Sequence, residues 1–166
     1  LPCVDTLTYF TKRTPKLLKD KPIPMQLMKH RKSYINYWPL GVVAVISPWN
    51  YPFHLSMTPI LTALVAGNAV IFKPSEYTPL KGLLEGLFEE ARLPQDLVQV
   101  VYGAKETGRM LVDGKPDKIF FTGSERAGKS IMRNAAAHLI PVELELGGKD
   151  PFIVFDDVNL ERTVNG

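Results

Sequence analysis

Several short stretches of this 166-residue chain carry groups that can do chemistry. In Ser47-Pro48-Trp49-Asn50-Tyr51-Pro52-Phe53, prolines and aromatics surround one Asn. Such a turn can hold the Asn50 amide as a fixed donor, of use to a carbonyl oxygen that gains charge when attacked. A buried structural turn is the plainer alternative. Lys73-Pro74-Ser75-Glu76 offers a Lys and a Glu three apart, suited to the hydroxyls of a ribose. Glu76 would repel a 2′-phosphate, which favours NAD over NADP while leaving NADP possible; a surface ion pair would look the same. Gly123-Ser124 precedes a helical pattern, and a helix start with a hydroxyl accepts a phosphate or simply caps itself. In Glu143-Leu144-Glu145-Leu146-Gly147-Gly148-Lys149, alternation puts both glutamates on one side of a strand. A carboxylate at such a strand end can act as a general base, and the glycine pair lets backbone approach a ligand; a solvated strand end with a Gly-Gly turn is the alternative.

The elements that must position these groups alternate. The apolar β-branched run at 42–47 reads as a strand of a buried parallel sheet, and 69–73, 98–102, 118–122 and 142–146 read as further strands. Between them, helices are expected from about Pro59 to Gly67-Asn68, over 79–92, over 105–112 and from Gly123 to about Ala137. A further strand is expected at 152–155 and a helix from Asn159, cut short by the chain end. The fold class is therefore α/β: a Rossmann-like, mainly parallel sheet with helices on both faces. In such sheets ligands bind beyond the carboxyl ends of the strands, where the chemical groups fall.

Residues 1–38 differ in texture. A helix weakened by Pro15 is expected over 7–18, then a Pro-x-Pro break (Pro22, Pro24) and two strand-like runs at 25–28 and 33–38 forming a projecting hairpin. Residues 1–40 hold eight of the 20 Lys/Arg and two of the 17 Asp/Glu, a local net of +6 against +3 overall. Aromatics follow the basic residues, as a nucleic-acid surface would require, but a solvated basic face explains the charge as well; no nucleic-acid partner is expected. We divide the chain into an N-terminal helix with part of an oligomerisation hairpin (1–38) and a Rossmann-like nucleotide-binding domain (39–166).

The composition excludes other classes. No apolar run of about 18 residues exists to span a membrane, and no charged start with an apolar run marks a secretory signal. Cys3 is the only cysteine, so no internal disulfide or cysteine-based metal site can form. The histidines (His30, His54, His138) lie far apart, and no metal site is expected. A cytoplasmic location fits these features. Gly123-Ser-Glu-Arg-Ala-Gly128-Lys129-Ser130 also matches the phosphate-wrapping loop G-x-x-x-x-G-K-[ST] of nucleotide hydrolases. Glu125 and Arg126 place bulky charges where that loop must close on phosphate, and the reading leaves the other stretches without a role.

Taken in order, the stretches at 46–53, 67–76, 121–124 and 144–149 closely resemble the aldehyde dehydrogenase superfamily, over about residues 33–166. The resemblance implies an NAD(P)-dependent oxidation of an aldehyde to a carboxylic acid through a thiohemiacetal and a thioester. It implies Asn50 as oxyanion donor and Glu145 as general base. Lys73 and Glu76 would contact the adenosine ribose and Ser124 the pyrophosphate, with Ser75 also among the cofactor contacts. Ser47, Pro48 and Trp49 would wall the cofactor cleft, Gly123 and Gly128 bracket the helix-start loop, Gly147 lies near the nicotinamide, and Leu146 is a further cofactor contact. The family's nucleophilic cysteine follows that glutamate later in the chain. Cys3 stands upstream, in a segment the family places elsewhere. The chain, opening at Leu1, is therefore expected to be a fragment, inactive alone, of a homodimeric or homotetrameric enzyme. A non-catalytic nucleotide-binding module is the alternative.

Overall fold

The computed structural model describes residues 2–27 and 29–165. Five strands form one parallel sheet in the order β5-β4-β3-β6-β7: β3 (Val42–Ile46), β4 (Ala69–Lys73), β5 (Val98–Val100), β6 (Lys118–Gly123) and β7 (Val142–Leu146). Alternation along β3 sorts the core into two layers. Val43 and Val45 pack with Ile60 and Ala63 of α2 (His54–Val65) and Leu84 of α3 (Leu83–Glu90). Ala44 and Ile46 pack with Val112 of α4 (Lys105–Asp113) and Ala135 of α5 (Glu125–Ala136). Helices therefore cover both faces, as the run of apolar strands requires.

The helix α2 starts five residues earlier than expected and runs through Pro59. Proline removes the amide hydrogen that would bond the carbonyl four residues back. That carbonyl, on Leu55, accepts the Ser47 hydroxyl at 3.3 Å instead. The helix ends where expected: Gly67 takes φ 85°, and the Gly67 and Asn68 amides return to the Leu64 and Ala63 carbonyls. The buried Asn68 side chain then accepts from the Leu40 and Gly41 amides at 2.7 and 3.0 Å and donates to Ala63 at 3.1 Å, fixing the entry to β3. The helix α3 is shorter than the expected 79–92, because Leu80 adopts a left-handed φ of 47° and Gly82 one of 81°.

Before the sheet, α1 (Pro2–Leu17) buries none of its residues and touches α2. The hairpin is present, but its strands are β1 (Lys21–Ile23) and β2 (Ser33–Ile35), antiparallel with Pro22 opposite Tyr34. The first strand lies in the expected Pro-x-Pro break, since proline is tolerated on an edge strand. The strand expected at 25–28 does not form over 25–27, and Met28 lies outside the described residues. The run 152–155 is an exposed loop with no partner strand among the described residues, with Phe152 81% and Phe155 71% exposed. Helix α6 (Leu160–Asn165) follows, with the Asn159 side chain accepting from the Arg162 amide at 3.0 Å. Among the described residues no helix is long and apolar enough to cross a membrane, and no cluster of ligating side chains could hold a metal.

Candidate active site

The sheet order fixes where a ligand can enter. From β3 the chain winds to β4 and β5 on one side, then returns to β6 and β7 on the other. Connections that part in this way leave a crevice beyond the carboxyl ends of the two strands at the switch. Those strands are β3 and β6, so 47–53 and Gly123-Ser124 border it. Ser47 is buried, and its amide donates to the Lys73 carbonyl at 3.1 Å. Pro48 is half-buried and Trp49 is 61% exposed. The Thr78 hydroxyl donates to the Trp49 carbonyl at 3.0 Å, tying the β3 exit to the β4 exit. Asn50 is exposed, and its amide has no hydrogen-bond partner among the described residues.

Glu145 reaches the same side of the sheet. Ile46 is level with Phe121, and Phe121 with Leu144, so Glu145, paired with Thr122, stands one residue past the end of β3. Val142 and Leu144 pack toward α4 and α5, which sends Glu143 and Glu145 to the α2 face. The turn holding Asn50 leads into α2, so it and Glu145 share that face with β6 between them. Two strand spacings, about 10 Å, separate β3 from β7. Glu145 is exposed, whereas Glu143 is held at 3.2 Å by Lys118.

At the β4 exit, the Lys73 side chain is 6% exposed, with its ammonium 2.8 Å from the Pro74 carbonyl and 3.7 Å from Glu76 Oε2. Burial lowers the Lys73 pKa, partly offset by the Glu76 charge. Ser75 is buried and accepts from the Tyr77 amide at 3.3 Å. Here lies a cavity of about 200 Å³, lined by Ser75, Glu76, Lys81 and Tyr102 among others. Lys81 and Tyr102 were not foreseen. Tyr102-Gly103 lies just past the end of a parallel strand, and that position was the available signal.

At the β6 exit Ser124 caps α5, its hydroxyl accepting from the Ala127 amide at 3.3 Å. The amides of Glu125 and Arg126, at the first positions of the helix, have no intrahelical acceptor and suit an anion. Gly147 donates to the Gly123 carbonyl at 3.3 Å, which holds the end of β7 beside this start. Gly128 is buried inside α5. A Cβ there would come 2.7 Å from Leu146 Cδ2, so its role in the geometry is close packing of α5 on β7. Leu146 supplies that contact with one side and is 39% exposed.

The phosphate-wrapping reading of 123–130 does not survive. Its loop would have to stay open up to Gly128, but α5 already begins at Glu125, and the Gly128 amide bonds the Ser124 carbonyl at 2.9 Å. Lys129 pairs with Glu125 on the exposed side of the helix. Cys3 sits on α1 with its sulfur 3.3 Å from His54 Nδ1, and burial pushes its thiol pKa up, away from the thiolate a nucleophile needs.

An aldehyde dehydrogenase family model matches residues 1–166. The chain is 49% identical over 164 residues to a 4,4'-diapolycopene aldehyde oxidase of a Methylomonas species, covering 97% of this chain and 31% of that protein. It is 52% identical over 126 residues to aldehyde dehydrogenase family 3 member H1 of Arabidopsis thaliana, covering 76% of this chain and 26% of that one. Its fold is similar to a Mycobacterium tuberculosis aldehyde dehydrogenase solved with NAD+, at TM-score 0.84 and 34% identity over 97% of this chain and 33% of that one. The chain thus spans between about a quarter and a third of the length of the curated relatives it matches.

Proposed function

The chain belongs to the aldehyde dehydrogenase family, and we propose that it forms the dinucleotide cleft and two catalytic groups of an enzyme that oxidises an aldehyde to a carboxylic acid. One observation carries the proposal: Asn50 and Glu145, from opposite sides of the switch in winding, reach one face of the sheet beside a capped helix start.

The residues fit NAD. The free amides at the start of α5 and the Ser124 cap suit a pyrophosphate. Lys73 and Glu76, beside the cavity at the β4 exit, suit the adenosine ribose, with Ser75 buried beneath them. Ser47, Pro48 and Trp49 wall the cleft, and Leu146 and Gly147 close it at β7. Gly123 and Gly128 let strand, helix and ligand approach. The nicotinamide, when bound, supplies the acceptor for a hydride.

The remaining chemistry falls to side chains. The Asn50 amide N–H donates to the substrate carbonyl oxygen as a thiolate adds to the carbonyl carbon and charge moves onto oxygen. Glu145 takes the thiol proton first, releases it to solvent, and later takes the proton of the water that cleaves the thioester. The thiol comes from elsewhere than Cys3. On this reading the 166 residues alone bind cofactor without oxidising aldehyde, which is also what a nucleotide-binding module would do. Residues 1–38 form an appendage to the domain at 39–166, and the β1–β2 hairpin, with Ile23, Tyr34 and Ile35 exposed, pairs with another subunit. The test is aldehyde-dependent NADH formation by the enzyme that holds these residues together with its nucleophilic thiol. Glu145→Gln should lower turnover at least about 100-fold with NAD affinity kept. Unchanged turnover removes Glu145 from the mechanism.

A further inference from the structure

The cavity at the β4 and β5 exits holds two opposite charges, and only one of them is used by the reading above. Glu76 lies beside Lys73, whose buried ammonium is 3.7 Å from it and offsets part of its charge. Lys81 lines the same cavity and, among the described residues, has no carboxylate within ion-pair distance. Its ammonium lies 5.6 Å from the centre of the Tyr102 ring, a cation–π contact that keeps the charge on the cavity wall.

That ring is itself anchored. The Tyr102 hydroxyl donates to Glu85, and the other oxygen of Glu85 accepts the Gly82 amide at 3.1 Å. The Glu85 carboxylate is thereby occupied by two donors. Lys81 stands between Leu80 and Gly82, whose left-handed φ angles set the direction of the backbone that carries it. A positioned, unpaired ammonium beside a ribose-sized cavity is suited to a dianionic phosphate.

We propose that Lys81 is a specificity-determining residue that lets this cavity take a 2′-phosphorylated adenosine ribose, so that NADP binds as well as NAD. The proposal rests on the reading of the Lys73–Glu76 cavity as the ribose site. Glu76 still repels the added phosphate, and Lys81, which lines the same cavity, offsets that repulsion.

The test is calorimetric titration of the purified protein with 5′-AMP and with 2′,5′-ADP, which differ only in the 2′-phosphate. In the wild type 2′,5′-ADP binds at least as tightly as 5′-AMP. Lys81→Ala weakens 2′,5′-ADP roughly fivefold and leaves 5′-AMP within about twofold, and Lys81→Arg restores it. Added salt shrinks the effect of Lys81→Ala on 2′,5′-ADP, since it screens the attraction between Lys81 and the 2′-phosphate. If 5′-AMP binds and Lys81→Ala shifts both ligands equally, or neither, Lys81 has no such role while the ribose site stands. If neither ligand binds the wild type, the ribose site itself is wrong and the proposal falls with it.

Discussion

The hydroxyl of Ser47 donates to the carbonyl of Leu55, the carbonyl that Pro59 leaves without a helical partner. A residue at the mouth of the cleft thus completes the helix that carries the 47–53 turn. Ser47→Ala should strip that carbonyl of its donor and cost about 1 kcal/mol of stability, measured by urea unfolding. Ser47→Ala combined with Pro59→Ala, which restores the amide hydrogen, should recover most of the loss. No recovery would show that the two residues are not linked.

Asn68 joins the end of α2 to the start of β3 through three hydrogen bonds. Asn68→Ala should destabilise the fold by about 1–3 kcal/mol, because two amides lose their acceptor and the partly open site lets water replace it only in part. The same unfolding experiment reads this.

Alkaline unfolding should report on Tyr102. Burial, helped by the bond to Glu85 and its charge, pushes the Tyr102 pKa from 10.0 up to about 12. The folded chain keeps that proton over a window in which the unfolded chain loses it. Its contribution is therefore full below pH 10 and is lost as pH rises through about 12. Lys73 runs the other way: its lowered pKa makes its buried charge costly, and that cost fades as pH rises toward 10.5. Lys73 is common to both proteins, so it cancels when the wild type is compared with Tyr102→Phe. The wild type should lose stability more steeply than the variant between pH 10 and 12. Parallel curves would contradict the placement of Tyr102 against Glu85.

Much of the frame was legible because strands buried on both faces must be largely apolar, as Val42–Ile46 is throughout and Ala69–Lys73 is up to its terminal lysine. What failed depended on partners that a local pattern does not contain. Pro59 reads as a helix start until Ser47 is known to serve the Leu55 carbonyl. Residues 152–155 are as apolar as a strand, but a strand also needs a neighbour, and among the described residues they have none. Leu80 interrupts the expected helix by a left-handed turn that leucine rarely adopts. In the proposed site, Asn50, Lys73, Glu76, Ser124 and Glu145 stood out in the sequence because each follows or ends a strand. The Tyr102–Glu85–Lys81 group was not, since its members meet only when β5 lies beside β4. Gly128 matched a phosphate loop in letters; its packing against Leu146 needed the β6–β7 pairing to be seen.

We propose that the crevice between the β3 and β6 exits, with the Lys73–Glu76 cavity beside it, takes a nicotinamide dinucleotide. Calorimetric titration of the purified protein with NAD, in the wild type and in Lys73→Met, tests it most directly. The methionine keeps the buried stem against Gly108 and removes only the ammonium. NAD should bind saturably, and Lys73→Met should weaken it about tenfold or more. NAD that fails to bind the wild type, or that binds both proteins equally, would contradict it.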